Sequence, residues 1–315
     1  MPNIKRCQAL IRSLIKHDIQ NNSNFKSIFP GIICMKEVAQ HALNSGKRLR
    51  SMIIWSMAED SEGSKGFEHF ALFIEYVHNS SLIVDDLPCM DNDHDRRGVP
   101  TVHIKYGEHV AQLMAYNLMI TAMKHLNDGF RKLRDSKLYQ PEDFDQISDL
   151  INDEIGQGLG YQGICGGQLL DLLICKDKDL QTRSKREQRD LILKTIRLKT
   201  GCLFGLSFAL GWACKGQPIK YLNQIKEVGY GFGTCYQIID DLRDVDKDTH
   251  KNGGYNNICR YYTINEIIDI FTSLMEEFAT VMTQYDLWND TLHELHNYML
   301  QSFRNEIRAI KAKAT

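Results

Sequence analysis

The feature that most constrains this sequence is an apolar, helix-like segment that ends in a dense group of acidic residues. Residues 79–103 read NSSLIVDDLPCMDNDHDRRGVPTVH and place five aspartates directly before Arg-Arg-Gly: Asp85, Asp86, Asp91, Asp93 and Asp95. Carboxylates at this density repel one another and are costly to bury, so a fold keeps them in water or around a cation. Hard oxygen donors favour Mg²⁺ over zinc. The adjacent arginines favour a phosphate-bearing ligand, because a guanidinium group matches phosphate oxygens bidentately.

A second acidic cluster occurs much later in the chain. Residues 236–244 read YQIIDDLRD, an apolar helical pattern that carries Asp240, Asp241 and Asp244. The spacing places Asp240 and Asp244 on one helix face, about 6 Å apart, where they can share metal ions. A solvated acidic surface is the alternative for an isolated acidic run. Two such clusters, if they face each other in the fold, instead predict a metal-bridged site for diphosphate.

Length and composition predict one helical domain over residues 1–315. The chain is 43% hydrophobic, which is enough for a sizeable core, and it contains only six prolines. Long stretches of 3.6-residue periodicity outnumber alternating ones, which predicts an all-α fold. The net charge of −2 gives no overall field that would attract nucleic acid.

The periodicity also predicts individual helices. Phe67–Val84 is apolar nearly all round and is expected to be a central, buried helix. The other segments with a helical pattern are Tyr106–Leu126, Asp153–Leu173, Leu191–Ala213, Ile219–Asp241 and Ile264–Ala312. Polar stretches at Asn127–Phe144 and Lys176–Arg189 are expected to be solvated loops and exposed helix ends. A GxGxxG match at Gly158–Gly163 follows no strand, so close helix packing explains it better than dinucleotide binding.

Cysteine usage and the N-terminus bear on the compartment. Nine cysteines occur without a CxxC pair, which favours thiols in a reducing, cytoplasmic environment over disulfides or zinc. The first 20 residues are basic and amphipathic, which predicts a first helix but leaves a short organellar transit peptide open. No segment approaches the roughly 18 consecutive apolar residues of a membrane span.

The two acidic motifs carry a family resemblance. DDLPCMDND followed by RRG, with DDLRD downstream, resembles the paired aspartate-rich motifs of the trans-isoprenyl diphosphate synthases, most closely the geranylgeranyl diphosphate synthase branch. The resemblance covers about residues 40 to 265 and implies an isoprenoid-synthase helical bundle around a central cavity. The implied reaction condenses isopentenyl diphosphate, with Mg²⁺, onto dimethylallyl, geranyl or farnesyl diphosphate. A homodimer is also implied, with no nucleic-acid partner.

The resemblance further implies which residues act on the allylic diphosphate. Mg²⁺ is expected at the aspartates of both motifs: Asp85, Asp86, Asp91, Asp240 and Asp244, with Asp241 in the same cluster. Cationic and polar contacts to the diphosphate are expected from Arg96, Lys199, Thr200, Gln237 and Lys251. Gln168 and Asp171, in GGQLLDLL, are expected to orient the metal–diphosphate shell. The segment that contains Lys251 is shorter than its family counterpart and offers no match for a second lysine.

Isopentenyl diphosphate is expected at a second set of residues. SGKRLRS provides Lys47 and Arg50, three residues apart, which point the same way if this segment is helical. Arg97 and His78 match the remaining family contacts, although His78 alone would be interpreted as a satisfied core histidine. Val84 stands where related sequences often carry histidine.

Product length is expected to depend on the residues one helical turn before Asp85. Ser80 and Ser81 replace the bulky aromatic residues of short-product relatives, which favours a product of twenty carbons or more. Met114, Tyr116 and Met119 are candidates for the floor of the tunnel. The alternatives are a farnesyl or longer-chain synthase, a non-catalytic partner subunit of another synthase, a terpene cyclase, and a metal-dependent phosphohydrolase. Intact aspartate motifs count against the partner subunit, and the predicted isopentenyl site counts against the cyclase. Long apolar helices that lead into the site, without a histidine cluster to activate water, count against the phosphohydrolase.

Overall fold

The computed structural model describes residues 1–29, 34–59, 66–252 and 254–313, without the side chains of residues 248, 249, 251, 252 and 313. The all-α prediction is confirmed, because within these ranges the only strands are Asp95–Arg96 and Val99–Pro100, which pair antiparallel as β1 and β2. The chain divides into two compact units, residues 1–144 with 213–217 and residues 145–212 with 218–315. A single domain over the whole chain stays a prediction.

The described part of the first unit contains six α-helices and the short hairpin. In chain order the helices are α1 Pro2–Asn21, α2 Met35–Leu43, α3 Leu49–Ala58, α4 Phe67–Asp85, α5 Val102–Tyr106 and α6 Glu108–Asp135. The predicted central helix is confirmed as α4, whose apolar side chains are almost completely buried and which packs against α3 and α6. The first aspartate motif therefore begins where this buried central helix ends.

The second unit contains most of α7 and the helices that follow it. Their bounds are α7 Pro141–Leu159, α8 Ile164–Lys176, α9 Lys178–Gln181, α10 Lys185–Ile196, α11 Cys202–Cys214, α12 Leu222–Asn252, α13 Ile264–Gln284 and α14 Asp290–Lys313. A π-helical segment, Arg197–Gly201, joins α10 to α11. Helix α12 carries the second aspartate motif and packs against this segment and against α13.

One predicted helix is in fact two. Asp153–Leu173 is not continuous, since α7 ends at Leu159 and α8 begins at Ile164. A Cβ atom on Gly163 would lie only 2.0 Å from the carbonyl oxygen of Gly158, so this turn requires glycine. The GxGxxG match therefore reflects a tight turn between two helices, in addition to close packing.

The two polar stretches are more helical than predicted. Helix α6 continues to Asp135 because Phe130 and Leu133 bury an apolar face beneath the charged residues. The Lys176–Arg189 stretch contains α9 and the start of α10, whose first turn is closed by a capping box between Ser184 and Glu187. The C-terminal helical segment is also divided in two, because the chain leaves the helix after Gln284 and Asp286 adopts a φ of 48°.

Across the described ranges, no helix combines the length and the apolar character needed to span a bilayer.

Candidate active site

The first aspartate motif lies in the turn that follows α4. The backbone N–H of Asp86 donates to the carbonyl of Leu82 and closes the helix, and the N–H of Asp91 donates to the carbonyl of Asp85 at 3.0 Å. This second bond folds the motif back on itself and brings the backbone of Asp91 next to the C-terminal end of the helix that carries Asp85. The side chains of Asp85 and Asp86 are 13% and 5% exposed, respectively.

Arg96 neutralises the buried end of this cluster from the β1 strand. Its Nε and Nη2 atoms lie 2.6 and 2.5 Å from Oδ1 of Asp86, and Nη2 lies 3.9 Å from Asp85 and 3.8 Å from Asp93. Burial raises the pKa of Asp86, and the bond to Arg96 only partly offsets this effect. A carboxylate in this position gains from a further positive charge.

Arg97 points to the loop before α3. It adopts a left-handed backbone with a φ of 57°, and its Nη1 donates to the carbonyl of Ser45 at 2.8 Å. Gly46 has a φ of +135°, and a Cβ atom there would lie 2.7 Å from the same Nη1. Glycine is therefore needed at this position both for the backbone conformation and for the approach of Arg97.

Arg50 and His78 meet between α3 and α4 of the first unit. Nη1 of Arg50 lies 3.3 Å from Nε2 of His78. Burial, followed by the charges of Arg50 and Arg97, lowers the pKa of His78 well below its ordinary value. The ring is therefore neutral near pH 7 and accepts a hydrogen bond from Arg50. Arg96 also lies close enough to lower this pKa, so His78 stands within a cluster of arginines.

A buried ion pair, which no sequence motif indicated, fixes the backbone between Lys47 and Arg50. Arg48 is buried in a left-handed backbone with a φ of 58°, and its Nη1 lies 2.6 Å from Glu75 on α4. The hydroxyl of Ser51 donates to the other oxygen of Glu75 at 2.7 Å, and Nη2 of Arg48 donates to the carbonyl of Leu43. The signal that could have revealed this pair was Glu75 itself, a lone acid within the apolar run of α4.

In the second unit, Lys199 and Asp171 form an ion pair. Lys199 Nζ lies 2.7 Å from Oδ2 of Asp171, with the two side chains 28% and 10% exposed. Lys199 belongs to the π-helical segment, and such segments frequently occur at functional sites. Helix α8 approaches this segment closely at Gly167, where a Cβ atom would lie 2.3 Å from the backbone nitrogen of Lys199. The glycine before Gln168 therefore brings the two halves of this ion pair together.

A chain of hydrogen bonds connects the π-helical segment to the second aspartate motif. The hydroxyl of Thr200 donates to Oε1 of Gln237 at 2.8 Å, and Nε2 of Gln237 donates to Oδ1 of Asp241 at 2.8 Å. The other oxygen of Asp241 accepts from the backbone N–H of Ile258 at 2.9 Å. Asn257, a buried residue outside every sequence motif, donates to the carbonyl of Asp241. Through these contacts, Asp241 can position Gln237, Asn257 and Ile258.

Asp240 and Asp244 are both half-buried on α12. Oδ1 of Asp240 lies 2.9 Å from Nη1 of Arg243, and Arg243 also contacts Glu306 on α14 at 3.0 Å. These partners raise the pKa of Arg243 even though burial acts to lower it. The structure therefore places two less buried carboxylates one helical turn apart, beside the buried Asp241.

The remaining predicted residues occupy different environments. Lys47 is exposed, and its backbone carbonyl accepts a hydrogen bond from Gln8 at 2.8 Å. It does not share a helix face with Arg50, because α3 begins only at Leu49, after the left-handed Arg48. Gln168 is half-buried on α8, and its buried Nε2 has no hydrogen-bond acceptor among the described residues. The side chain of Lys251 lies outside the described residues.

The two serines predicted to set product length differ in environment. Ser80 is 4% exposed and its hydroxyl donates to the carbonyl of Ala115 on α6 at 2.8 Å. Ser81 is half-buried and donates to the carbonyl of His78 at 2.8 Å. Of the floor candidates, Met114 is fully buried, whereas Tyr116 is 58% exposed. Tyr116 faces away from the interior, so its assignment to the floor of a tunnel inside one chain is wrong.

The donor groups in each unit suit a divalent metal. Asp85, Asp86 and Asp91 supply carboxylate oxygens in the first unit, and Asp240 and Asp244 do so in the second. Such donors match the hard oxygen ligands of Mg²⁺. Burial raises the pKa of Asp86, and a cation bound beside this carboxyl would favour its charged form.

Known proteins resemble this chain in sequence. Residues 33–255 match the family model described as Polyprenyl synthetase. The chain is 33% identical to the geranylgeranyl diphosphate synthase of Pantoea ananas, over 68% of this chain and 65% of the relative. It is also 33% identical to the farnesyl diphosphate synthase of Escherichia coli (strain K12), over 66% of the chain and 64% of the relative. The chain thus spans slightly less than two thirds of the length of these two relatives.

Solved structures share the fold. A geranyltranstransferase from Thermotoga maritima superposes with a TM-score of 0.71 at 21% identity, covering 98% of this chain and 99% of its own. A geranyltransferase from Helicobacter pylori, in complex with magnesium and isoprenyl diphosphate, superposes with a TM-score of 0.70 at 22% identity. The superposition covers 96% of this chain and 98% of the geranyltransferase chain. These similarities confirm the isoprenoid-synthase fold, and the sequence match over residues 33–255 identifies the chain as a member of the polyprenyl synthetase family.

Proposed function

We propose that this protein is a Mg²⁺-dependent prenyltransferase that condenses isopentenyl diphosphate with allylic diphosphates to form geranylgeranyl diphosphate. The observation that carries the proposal is the pairing of aspartates with cationic side chains in both units. Arg96 contacts Asp86 at 2.5 Å in one unit, and Lys199 contacts Asp171 at 2.7 Å in the other. Family membership and the names of the two sequence relatives support the same reaction class.

In the proposed reaction the allylic C–O bond breaks and diphosphate departs. Mg²⁺, when bound by Asp85, Asp86, Asp91, Asp240 and Asp244, neutralises charge on the departing diphosphate. Arg96 and Lys199 contribute fixed positive charge to the same group, and Thr200 and Gln237 position it by hydrogen bonding. Asp241 holds Gln237 in place through the bond of 2.8 Å. The buried Nε2 of Gln168 gains an acceptor if a diphosphate oxygen or a carboxylate approaches it.

Isopentenyl diphosphate is proposed to bind the arginine cluster of the first unit. Arg50 and Arg97 can each present a guanidinium fork to phosphate, and the exposed Lys47 adds a further positive charge. His78 is neutral, so its role is to orient Arg50 through the contact of 3.3 Å. Lys251 is proposed to cover the diphosphate, as the family resemblance implies.

The bond-forming step needs no protein base on this proposal. The double bond of isopentenyl diphosphate attacks the allylic cation, forming the new carbon–carbon bond, and the resulting tertiary cation then loses a proton. The departed diphosphate can accept that proton, because the carboxylates of both motifs are occupied by cations. Charge and atoms therefore balance between the two substrates.

Geranylgeranyl diphosphate is proposed as the product because small side chains stand before Asp85. Ser81 is half-buried, and Ser80 packs against the backbone of α6 through its hydroxyl. Neither side chain would fill space that a growing hydrocarbon chain needs. Farnesyl diphosphate, the product named for the Escherichia coli relative, is the alternative. A non-catalytic partner subunit is less favoured because both aspartate motifs are intact.

A homodimer in a reducing cytoplasmic compartment is proposed as the working form. Helix α6 exposes Leu113, Tyr116 and Ile120 by 54%, 58% and 65%, at a spacing that places them along one face of the helix. Such an apolar face is typical of a self-association surface. The nine cysteines, all within the described residues, are thiols. Sedimentation at the mass of two chains supports the dimer, whereas sedimentation at that of one chain contradicts it.

The test of the proposed function compares two aspartate substitutions in the same motif. Asp85→Ala removes a proposed metal ligand at the end of α4, and we expect the rate of labelled isopentenyl diphosphate incorporation to fall by at least about 100-fold. Asp95→Ala is the matched control, because Asp95 is exposed on β1 and has no proposed role. Near-wild-type incorporation by Asp85→Ala would refute metal-assisted ionisation at this motif.

Product length has a separate test. Ser81→Phe places an aromatic ring on the half-buried face of α4, and we expect the main product to shorten by at least one five-carbon unit. Chromatography of the dephosphorylated products measures this change. Ser81→Ala serves as the control for loss of the hydroxyl and should leave the spectrum unaltered. An unchanged spectrum in Ser81→Phe, with activity retained, would rule out control of product length at this position.

A further inference from the structure

Two histidines face each other in the first unit, away from the aspartate motif. His69 lies near the start of α4 and His125 in the second half of α6, and their Nδ1 atoms are 3.3 Å apart. Asp128, one turn after His125, offers a carboxylate oxygen to the same point, with all three ligand atoms within 4.8 Å of one another. No step of the proposed prenyl transfer uses any of these residues.

One nitrogen of His125 faces a carboxylate and the other faces His69. Nε2 lies 3.2 Å from Oδ2 of Asp18 on α1, while the His125 side chain is only 3% exposed. Nδ1 lies 3.3 Å from Nδ1 of His69. A proton on Nε2 would face the carboxylate and leave the lone pair of His125 on Nδ1.

This arrangement reproduces a recurrent feature of histidine metal ligands. A ligating imidazole commonly directs its other ring nitrogen at a carboxylate, which sets its tautomer and orientation. Asp18 occupies that position for His125, and it is held in turn by the hydroxyl of Tyr76 at 2.6 Å.

The distance between the two nitrogens also suits a metal. Zn–N bonds of about 2.0–2.1 Å with tetrahedral angles place two ligating nitrogens about 3.3–3.4 Å apart. The observed separation is 3.3 Å. A direct hydrogen bond between the rings has a similar length, so distance alone does not select the metal. The carboxylate behind His125 and the third ligand beside the pair make the difference.

Asp128 can reach the two histidines at small cost. Its carboxylate contacts Lys124 and Arg131 at 2.7 Å each, and those cationic side chains are 56% and 67% exposed. The Asp128 side chain is only 14% exposed, so a bound cation could take the place of these two exposed cationic partners.

We propose that His69, His125 and Asp128 bind one Zn²⁺ ion, with Asp18 supporting His125 from behind and solvent completing the coordination. Two imidazoles and one carboxylate suit zinc or a neighbouring transition metal rather than Mg²⁺. The ion joins α4 to α6, the two helices that carry Ser80 and its hydrogen-bond partner Ala115. Its role is to stabilise this pair of helices, independently of the chemistry at the aspartate motifs.

The test is the affinity of the full chain for Zn²⁺, measured by competition with a chromophoric chelator. Mg²⁺ in excess keeps the aspartate motifs occupied. We expect the wild type to bind one Zn²⁺ ion tightly per chain. The affinity for Zn²⁺ should be at least about tenfold weaker in His69→Ala, and about 10- to 100-fold weaker in Asp18→Asn. His109→Ala, which removes an exposed histidine from the same helix α6, should bind like the wild type.

Thermal unfolding provides the second measurement. Zn²⁺ should raise the Tm of the wild type and of His109→Ala, but not that of His69→Ala. Asp128→Asn, which preserves side-chain shape, covers the case in which His69→Ala does not fold, and it too should lose tight binding. Absence of tight Zn²⁺ binding in the wild type would overturn the proposal and leave a hydrogen bond between two histidines. Unchanged affinity in the folded ligand variants would also overturn it.

Discussion

At the scale of single residues, the first unit concentrates positive charge around one neutral imidazole. Arg50 contacts His78 directly, and Arg97 and Arg96 lie close enough to depress its pKa. A protonated His78 would add to this repulsion, so the folded protein keeps the ring neutral. The same positive charge is available for a diphosphate, which explains why a histidine can stand in this position without being the catalytic base.

The depressed pKa of His78 predicts how stability depends on pH. An unfolded histidine titrates near about pH 6.5, whereas folded His78 takes up a proton only well below that value. The stability associated with neutral His78 is therefore fully present above about pH 6.5 and decreases as the pH falls. Between about pH 7.5 and pH 5.5 the loss in unfolding free energy amounts to as much as about 1.4 kcal/mol.

Denaturant unfolding of the wild type and His78→Gln at both pH values measures this difference. Glutamine can still accept a hydrogen bond from Arg50 but does not titrate, so its pH dependence should be smaller by that amount. The other histidines are common to both proteins and cancel in the comparison. Equal pH dependence in the two proteins would contradict a depressed pKa at His78.

Residue patterns predicted the residues of the site better than the residues that hold them in place. The motif resemblance selected Arg50 and Arg97, and the structure places Arg50 beside His78 and Arg97 against the loop before α3. No local pattern indicated the left-handed Arg48 and its buried bond to Glu75, because that contact joins residues 27 positions apart. Asn257 was missed for the same reason, since its partner Asp241 lies in another element.

At the scale of elements, close helix packing at glycine positions assembles the second unit. Gly167 allows α8 to approach the backbone of Lys199. Gly233 on α12 lies against Gly201, where a Cβ atom on Gly233 would come within 2.8 Å of the opposite Cα. The π-helical segment is therefore packed between two helices at positions without side chains, and it presents Lys199 and Thr200 to Asp171 and Gln237.

Adding one methyl group at Gly167 should disturb this arrangement. We expect Gly167→Ala to lower the unfolding free energy by about 1–3 kcal/mol, because α8 must move away from the π-helical segment. Prenyl transfer should fall more than about tenfold, since the ion pair between Lys199 and Asp171 spans that contact. Denaturant unfolding and the incorporation assay measure the two effects.

Gly156→Ala on α7 is the matched control, because a Cβ atom at Gly156 would meet nothing within 4 Å. Alanine favours helix there by up to about 1 kcal/mol, so this variant should be as stable as the wild type or more so. Wild-type stability and activity in Gly167→Ala would show that the close approach is not required.

The elements themselves were predicted unevenly. Long amphipathic patterns located α4, α6 and α12, because burial of one face dominates their stability. The division of residues 153–173 escaped prediction, since apolar periodicity continues across the turn and only the glycines mark it. Charged stretches were predicted to be solvated loops and exposed helix ends where buried residues such as Phe130 and Leu133 in fact anchor a helix.

At the scale of the whole molecule, each compact unit carries one aspartate motif with its own cationic partners. Composition predicted the helical class, and the motifs predicted the family. The approach of the two motifs and the oligomeric state are not encoded in any local pattern, because each depends on contacts between distant parts of the chain or between chains. The product was predicted from Ser80 and Ser81 alone, although it depends on the whole path of the hydrocarbon chain. These three remain proposals. Together they determine one chemical outcome, which is the identity of the prenol that the protein makes.

Product identity is therefore the measurement on which the proposed function depends. Purified protein is incubated with Mg²⁺, labelled isopentenyl diphosphate and, separately, dimethylallyl, geranyl or farnesyl diphosphate, and the dephosphorylated products are identified by chromatography. We predict geranylgeraniol as the main product, and no product when a chelator removes Mg²⁺. Farnesol as the end product would retain the reaction class but contradict the proposed chain length. No incorporation with any primer, while diphosphate still binds with Mg²⁺, would contradict the proposed prenyl transfer.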